Sequence, residues 1–133
     1  MLHQIEGEGA TEARKAADAL YKQALALTGP DGELFLEHRL DGAVLDDRQR
    51  CWGATEALKA HLARFEADDA DAGHAVIACF DSLWALHIDG AVEGGWLDCR
   101  DGAGNVMSTD IPASTGYHIF LAFAELMRVA GLE

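Results

Sequence analysis

Pro112-Ala113-Ser114-Thr115-Gly116-Tyr117-His118-Ile119-Phe120-Leu121-Ala122-Phe123-Ala124-Glu125-Leu126 opens with a proline, two hydroxyl residues and a glycine, then runs almost wholly apolar. Proline and hydroxyl residues are helix-start signals, with Ser114 or Thr115 able to cap the free N–H groups. The apolar run predicts a helix buried on most of its surface. One ionisable ring, His118, sits in its first turns, with Tyr117 beside it and Glu125 two turns on. An imidazole there costs free energy unless it is hydrogen-bonded or lines a cavity. A histidine satisfied within the core is the plain alternative to a catalytic one.

Upstream of this helix, residues 90–108 are rich in turn formers and contain Trp96-Leu97-Asp98, the pair Asp101-Gly102 and Val106. Before them a helix is expected over about 71–87, with Val76, Cys79, Phe80, Leu83 and Leu86 on its inner face. The short acidic run Ala67-Asp68-Asp69-Ala70-Asp71 leads into that helix, where negative charge suits the dipole. Helical spacing also covers about 49–65, with Ala54, Leu58, His61, Leu62 and Phe65 on one side. Residues 33–46 instead alternate with a period of two through Leu34, Leu36, Leu40 and Val44, and Asp41-Gly42 signals a hairpin. The first helix is expected from a Thr11 cap to about Thr28, with Ala13, Ala17, Leu20, Ala24 and Leu27 facing inward. Gly29-Pro30-Asp31-Gly32 ends it.

The same layout therefore occurs twice: outer helix, glycine-rich turn, hairpin, inner helix. Asp41-Gly42 and Asp101-Gly102 stand 60 positions apart, as do Thr55 and Thr115. Repeated helix pairs build solenoids or closed toroids. The expected fold is all-α: one domain over 1–133, part of an (α/α)6 toroid, with two helix-pair repeats (about four helices) and β-hairpin-like connections. Each pair hides its apolar side only against a neighbour, and the terminal helices carry no obvious polar cap. An exposed apolar flank, a second copy or partner chain covering it, or further chain is the consequence.

Composition narrows the partners. With 23 acidic against 10 basic side chains the formal charge is −13, which repels phosphate backbones and anionic lipid headgroups. Neither nucleic acid nor membrane is an expected partner, and no apolar run reaches the roughly 18 residues that span a bilayer. The first nine residues do not read as a secretory signal. Cys51, Cys79 and Cys99 form no C-x-x-C pair and stand at no zinc spacing, so they read as reduced thiols of a cytoplasmic protein without a metal site.

The run Pro-Ala-Ser-Thr-Gly-Tyr-His-Ile with Phe-Leu-Ala-Phe-Ala-Glu-Leu resembles the C-terminal segment of the N-acylglucosamine 2-epimerase family, and within it the mannose isomerase type of aldose-ketose isomerase. Trp52-Gly53-Ala54-Thr55-Glu56-Ala57-Leu58-Lys59-Ala60 is similar to the same family's Trp-Pro-Gln-Thr-Glu-Ala-Leu-Lys-Ala helix. The resemblance runs from about Ala13 onward and covers the family's last third. It implies an (α/α)6 barrel of about twelve helices that moves a proton at sugar C2 without a cofactor or metal, through an enediol-like intermediate between two histidines. The C-terminal histidine falls on His118, as catalytic acid/base. Trp52 is implied as an aromatic platform for the sugar, and Glu56, Tyr117 and His38 complete the candidate substrate-binding set.

The chain departs from the family in two places. No His-x-x-Glu-Trp motif, the family's second catalytic histidine, occurs anywhere in it, and Gly53 and Ala54 replace the proline and glutamine after the aromatic residue. His3, His61, His74 and His87 have structural readings; His38 stands apart because a hairpin can reach the mouth of a barrel. The expected function is thus a sugar isomerase or 2-epimerase, or an incomplete portion of one, with a small-molecule sugar as its partner. The alternative is a truncated, non-catalytic α/α domain that binds a carbohydrate or a protein.

Overall fold

A computed structural model describes residues 8–30, 32–67, 69 and 71–132. Helix α1 (Glu8–Leu27) is followed by strands β1 (Phe35–His38) and β2 (Val44–Arg50) and helix α2 (Cys51–Glu66). The order then repeats with α3 (Ala72–Leu83), β3 (Cys99–Arg100), β4 (Val106–Ser108) and α4 (Ala113–Val129). Trp84–Ile88 continues α3 as a π-helical turn. His3 and the acidic lead, Asp31, Asp68 and Ala70 lie outside the described residues.

The two hairpins join edge to edge. β2 pairs antiparallel with β3 through Gln49↔Arg100 and Arg50↔Cys99, giving one four-stranded sheet in the order β1-β2-β3-β4. All-α is therefore an approximation: the connections form a shared sheet, and Gln49 and Arg50 belong to β2, so the helix that the spacing places over about 49–65 starts at Cys51.

The repeat is real but its interval is 62, not 60. Arg39 N–H bonds Ala43 across the first turn and Asp101 N–H bonds Asn105 across the second, a step of 62. Glu56–His118 and Glu66–Arg128 contacts link α2 to α4 at the same separation of 62, so the helices run parallel and in register. The Asp-Gly pairs mislead because the aspartates differ in place. Gly42 takes the left-handed turn position at φ 90° in the first hairpin, whereas Gly104, at φ 84°, takes it in the second, two residues beyond Gly102.

The core lies where α2 is flanked by α3 and α4. Cys51, Leu58, Leu62, Leu83 and Ala122 form its centre, with Phe80, Ile119 and Phe123 packed around them. Burying each leucine contributes about 1.5–3 kcal/mol. Helix α4 is less buried than its composition predicts: Thr115 and Ala122 are buried, whereas Phe120 is 71% exposed and Tyr117, Leu121 and Met127 face outward. No described helix covers that flank, so its apolar side stays in solvent. Gly131, with φ 69°, ends α4 in a Schellman-type turn, Leu132 N–H bonding the Met127 carbonyl.

Two helix-start expectations fail. Thr11 lies within α1, and Ser114 and Thr115 lie inside α4, whose N-cap is Pro112 with no side-chain cap. The inner stripe of α1 is also displaced, leaving Leu20 71% exposed. The helix is held to α2 by polar contacts instead: Tyr21 Oη with His61 Nδ1 at 2.7 Å, and Asp18 with Arg64.

Candidate active site

Parallel register brings the N-terminal ends of α2 and α4 side by side, against the end of β2. A hollow of about 320 Å³ opens there, lined by Arg50, Trp52, Ser114, Thr115 and His118. Neither helix has a side-chain cap at this end. Cys51 N–H is bonded to the Asp98 carbonyl and Thr115 N–H to the Pro112 carbonyl, and the hollow lies at the positive poles of two helix dipoles.

His118 is fixed from three sides. Its Nδ1 lies 2.6 Å from Glu56 Oε1. A carboxylate only accepts, so Nδ1 carries a proton, and in the neutral imidazole the lone pair is then on Nε2. The Tyr117 ring lies over the imidazole with centroids 4.0 Å apart, and the Trp52 ring stands 6.0 Å away. The ring is thus oriented yet partly accessible, with 20% of the side chain exposed. It is not sealed in the core.

Glu56 Oε1 also receives Lys59 Nζ at 2.6 Å. Partial burial raises the carboxyl's pKa, but the hydrogen bonds from Lys59 and His118 outweigh it and hold the group below its ordinary value. Glu56 is consequently an ionised partner of the imidazole, occupied by two cationic or donor groups. Its place is behind His118, not on the lining of the hollow.

The structure brings together His118, Trp52, Glu56 and Tyr117. His38 is not among them: it pairs with Val44 in the hairpin, its ring beside Phe35 at 6.2 Å, and it does not line the hollow. The hairpin joins the sheet, which keeps His38 on its own ladder. Sequence reasoning missed Arg50, Asp98 and Thr115. Arg50 Nη2 pairs with Asp98 Oδ2 at 2.7 Å, and the buried Thr115 hydroxyl donates to Asp98 Oδ1, also at 2.7 Å. The signal available was Asp98 within an otherwise apolar Trp-Leu-Asp-Cys run, a buried-carboxylate pattern that needs a cation nearby.

Other recesses differ in character. One of about 250 Å³ is lined by residues of α1 to α3 and shares Arg50 with the first; His61, Cys79 and His87 face it. Burial depresses the pKa of both imidazoles, and His87 Nδ1–H donates to the Leu97 carbonyl at 2.7 Å. An apolar groove of about 460 Å³ lies near the C-terminal ends of α2 and α4, with Phe65, Ile77 and Val129 on its walls. Among the described residues no three His, Cys, Asp or Glu side chains converge as a metal would require, and no helix is long and apolar enough to cross a membrane.

The fold is shared with a solved structure described as the crystal structure of D-mannose isomerase, at a TM-score of 0.70 and 24% identity over 84% of this chain. The chain spans 28% of the length of that protein. No curated protein sequence matches it. The model of the N-acylglucosamine 2-epimerase (GlcNAc 2-epimerase) family matches residues 1–122, a span that takes in both α2 and the His118 turn of α4. On that match, over nearly its whole length, the chain belongs to the N-acylglucosamine 2-epimerase family.

Proposed function

We propose that this chain carries one half of the acid/base machinery of a sugar isomerase or 2-epimerase, acting at C2 of a hexose in a mannose-fructose type aldose-ketose interconversion. In this reading it forms two helix-pair repeats of an (α/α)6 toroid. The observation that carries it is the Glu56-held imidazole of His118, with Nε2 free and its ring on the wall of a hollow. A C2 proton is weakly acidic, so its removal needs a base whose pKa lies near the working pH, held within hydrogen-bond reach. An imidazole is the side chain suited to that task, and Glu56 orients this one. Trp52 offers an aromatic face to the apolar side of the sugar, and Tyr117 buttresses the imidazole, with ring centroids 4.0 Å apart. The second acid/base of the pair, which no His-x-x-Glu-Trp motif here provides, comes from other residues or another chain.

The test is isotope exchange. The chain is incubated in heavy water with mannose, fructose or glucose, and the C2 or C1 proton signal is followed. Loss of signal that disappears in His118→Asn supports the assignment; exchange unchanged by that substitution refutes it.

A second reading, a non-catalytic domain that docks on a partner, is favoured by the 71% exposure of Phe120 on the uncovered flank of α4. It predicts sugar or partner binding with no exchange at all.

A further inference from the structure

Arg50 ends β2, occupies the N-cap position of α2 without a side-chain capping bond, and lines the same hollow as His118. We propose that Arg50 is the electrophilic group of this site: the donor that stabilises negative charge on the sugar's carbonyl oxygen while His118 holds the C2 proton. The proposal rests on His118 being the base.

The chemistry requires such a donor. When His118 Nε2 takes the C2 proton of an aldose, the C–H electron pair forms the C1–C2 double bond and the carbonyl π pair moves onto O1. The product is an enediolate, whose oxygen needs a fixed cation or N–H donor at that moment. Return of the proton, or of a deuteron exchanged from solvent, reverses the flow. No oxidant, reductant or further reactant is involved.

Four observations single out Arg50. First, its guanidinium is anchored: Asp98 takes Nη2 at 2.7 Å, with 4% of the Asp98 side chain exposed, and Thr115 fixes the other carboxylate oxygen. Backbone pairing of Cys51 N–H with the Asp98 carbonyl at 2.9 Å adds to the clamp. A donor held this way needs no reorganisation when charge appears. Second, it is not saturated: Asp98 pairs with Nη2, while 30% of the Arg50 side chain remains exposed, so the guanidinium keeps further N–H donors. Third, the nearby alternative cation is engaged, Lys59 being bound to the same Glu56 oxygen as His118. Fourth, Arg50 sits at the uncapped N-terminus of α2, with that of α4 close by, so the dipoles reinforce rather than oppose an anion. Because Asp98 balances its charge, the Arg50–Asp98 pair carries no net charge. It favours an uncharged sugar over a standing anion, yet meets a transient one.

The experiment compares two ligands of the full chain by calorimetry: D-fructose, which is neutral, and the D-arabinonohydroxamate anion, which mimics the enediolate. Arg50→Gln alone strands Asp98, so the informative variant is the double substitution Arg50→Gln with Asp98→Asn, its fold checked by circular dichroism beside wild type. Hydroxamate binding is expected to fall by about ten- to a hundredfold, as loss of a charged hydrogen bond does, with fructose binding little changed. Arg50→Lys, which keeps the charge but loses the forked geometry, should fall between the two. Equal loss for both ligands, or no loss for either, overturns the role of Arg50, while wild-type proton exchange that disappears in His118→Asn leaves His118 as the base. A wild-type chain that binds neither ligand and exchanges no proton overturns both readings.

Discussion

His118 Nδ1 and Glu56 Oε1 meet at 2.6 Å although 62 residues separate them, and 62 is also the structural interval of the repeat. His118 therefore occupies in the second repeat the position that Glu56 occupies in the first. Two copies of one helix start, set parallel, place a carboxylate and an imidazole face to face across the seam. The pair is a product of the repeat and of divergence at one of its positions.

Replacing Glu56 with Gln removes the charge that holds the imidazole tautomer while keeping the shape. If the chain catalyses C2 exchange, the rate should fall by about ten- to a hundredfold, part of the ~10²–10⁴ that an acid/base group contributes. An exchange rate unchanged by the substitution would show that the contact does not govern the base.

The same carboxyl makes stability depend on acid. Its folded pKa lies below the ordinary 4.5, so its contribution is fully present above that pH and is lost as pH falls through the depressed value. With 41% of the side chain exposed, the effect is screened and should stay below about 1 kcal/mol. Urea midpoints of wild type and Glu56→Gln should accordingly differ near pH 6 and converge under strong acid.

His61 and His87 act in a higher window. Burial lowers both below the ordinary 6.5, so the unfolded chain binds protons that the folded one refuses. Stability is full above pH 6.5 and declines as pH falls toward the depressed values. The decline should shrink in His87→Gln once the lower starting stability of that variant is subtracted. Urea melts at pH 7.5 and 5.0 measure it; a midpoint that rises on acidification would contradict the burial of these rings.

How much of this the sequence disclosed depended on the range of the interaction. Helices α2, α3 and α4 are legible because their apolar residues recur at three and four, and the hairpins because Asp-Gly and Gly-rich turns punctuate period-two runs. The resemblance around Trp52 and His118 located the hollow. The edge-to-edge sheet was invisible: β3 has two residues, too short for any alternation, and it exists because β2 offers it an edge. Arg50 and Asp98 were equally hidden, since a charge pair at sequence separation 48 leaves no local period. The displaced face of α1 has the same origin: two polar side chains, Tyr21 and Asp18, decide its packing over the leucines.

Burial controls the thiols too. Cys51 is fully buried and its pKa is pushed up to about 12, by burial first and by the nearby Asp98 charge second; burial alone raises Cys79 to about 11. At pH 8 neither forms an appreciable thiolate, the species that alkylates. Iodoacetamide should leave both unmodified in the native chain and label both in urea, as read by mass spectrometry. Rapid native labelling of Cys51 would mean that the α2 start opens.

Thr115→Val tests whether the Arg50–Asp98 pair depends on α4. The Thr115 hydroxyl donates to Asp98 Oδ1, and the residue is 2% exposed, so valine fits the space but leaves a buried carboxylate oxygen without its donor. An unpaired buried acceptor of this kind costs about 1–3 kcal/mol. Thr55→Val is the control of equal chemistry: Thr55 is also buried, yet its hydroxyl only bonds back to the Trp52 carbonyl at 2.7 Å, within its own helix. That carbonyl has a second lone pair and a helical partner to fall back on, so the cost should be smaller, about 1 kcal/mol or less. Urea unfolding of the two variants supplies the comparison. Thr115→Val should be the more destabilised, because its hydroxyl serves a charge held between two repeats whereas the other serves one turn of one helix. Equal losses would show that the carboxylate is satisfied by Arg50 alone, and that α4 contributes nothing to holding the cation at the mouth of the hollow.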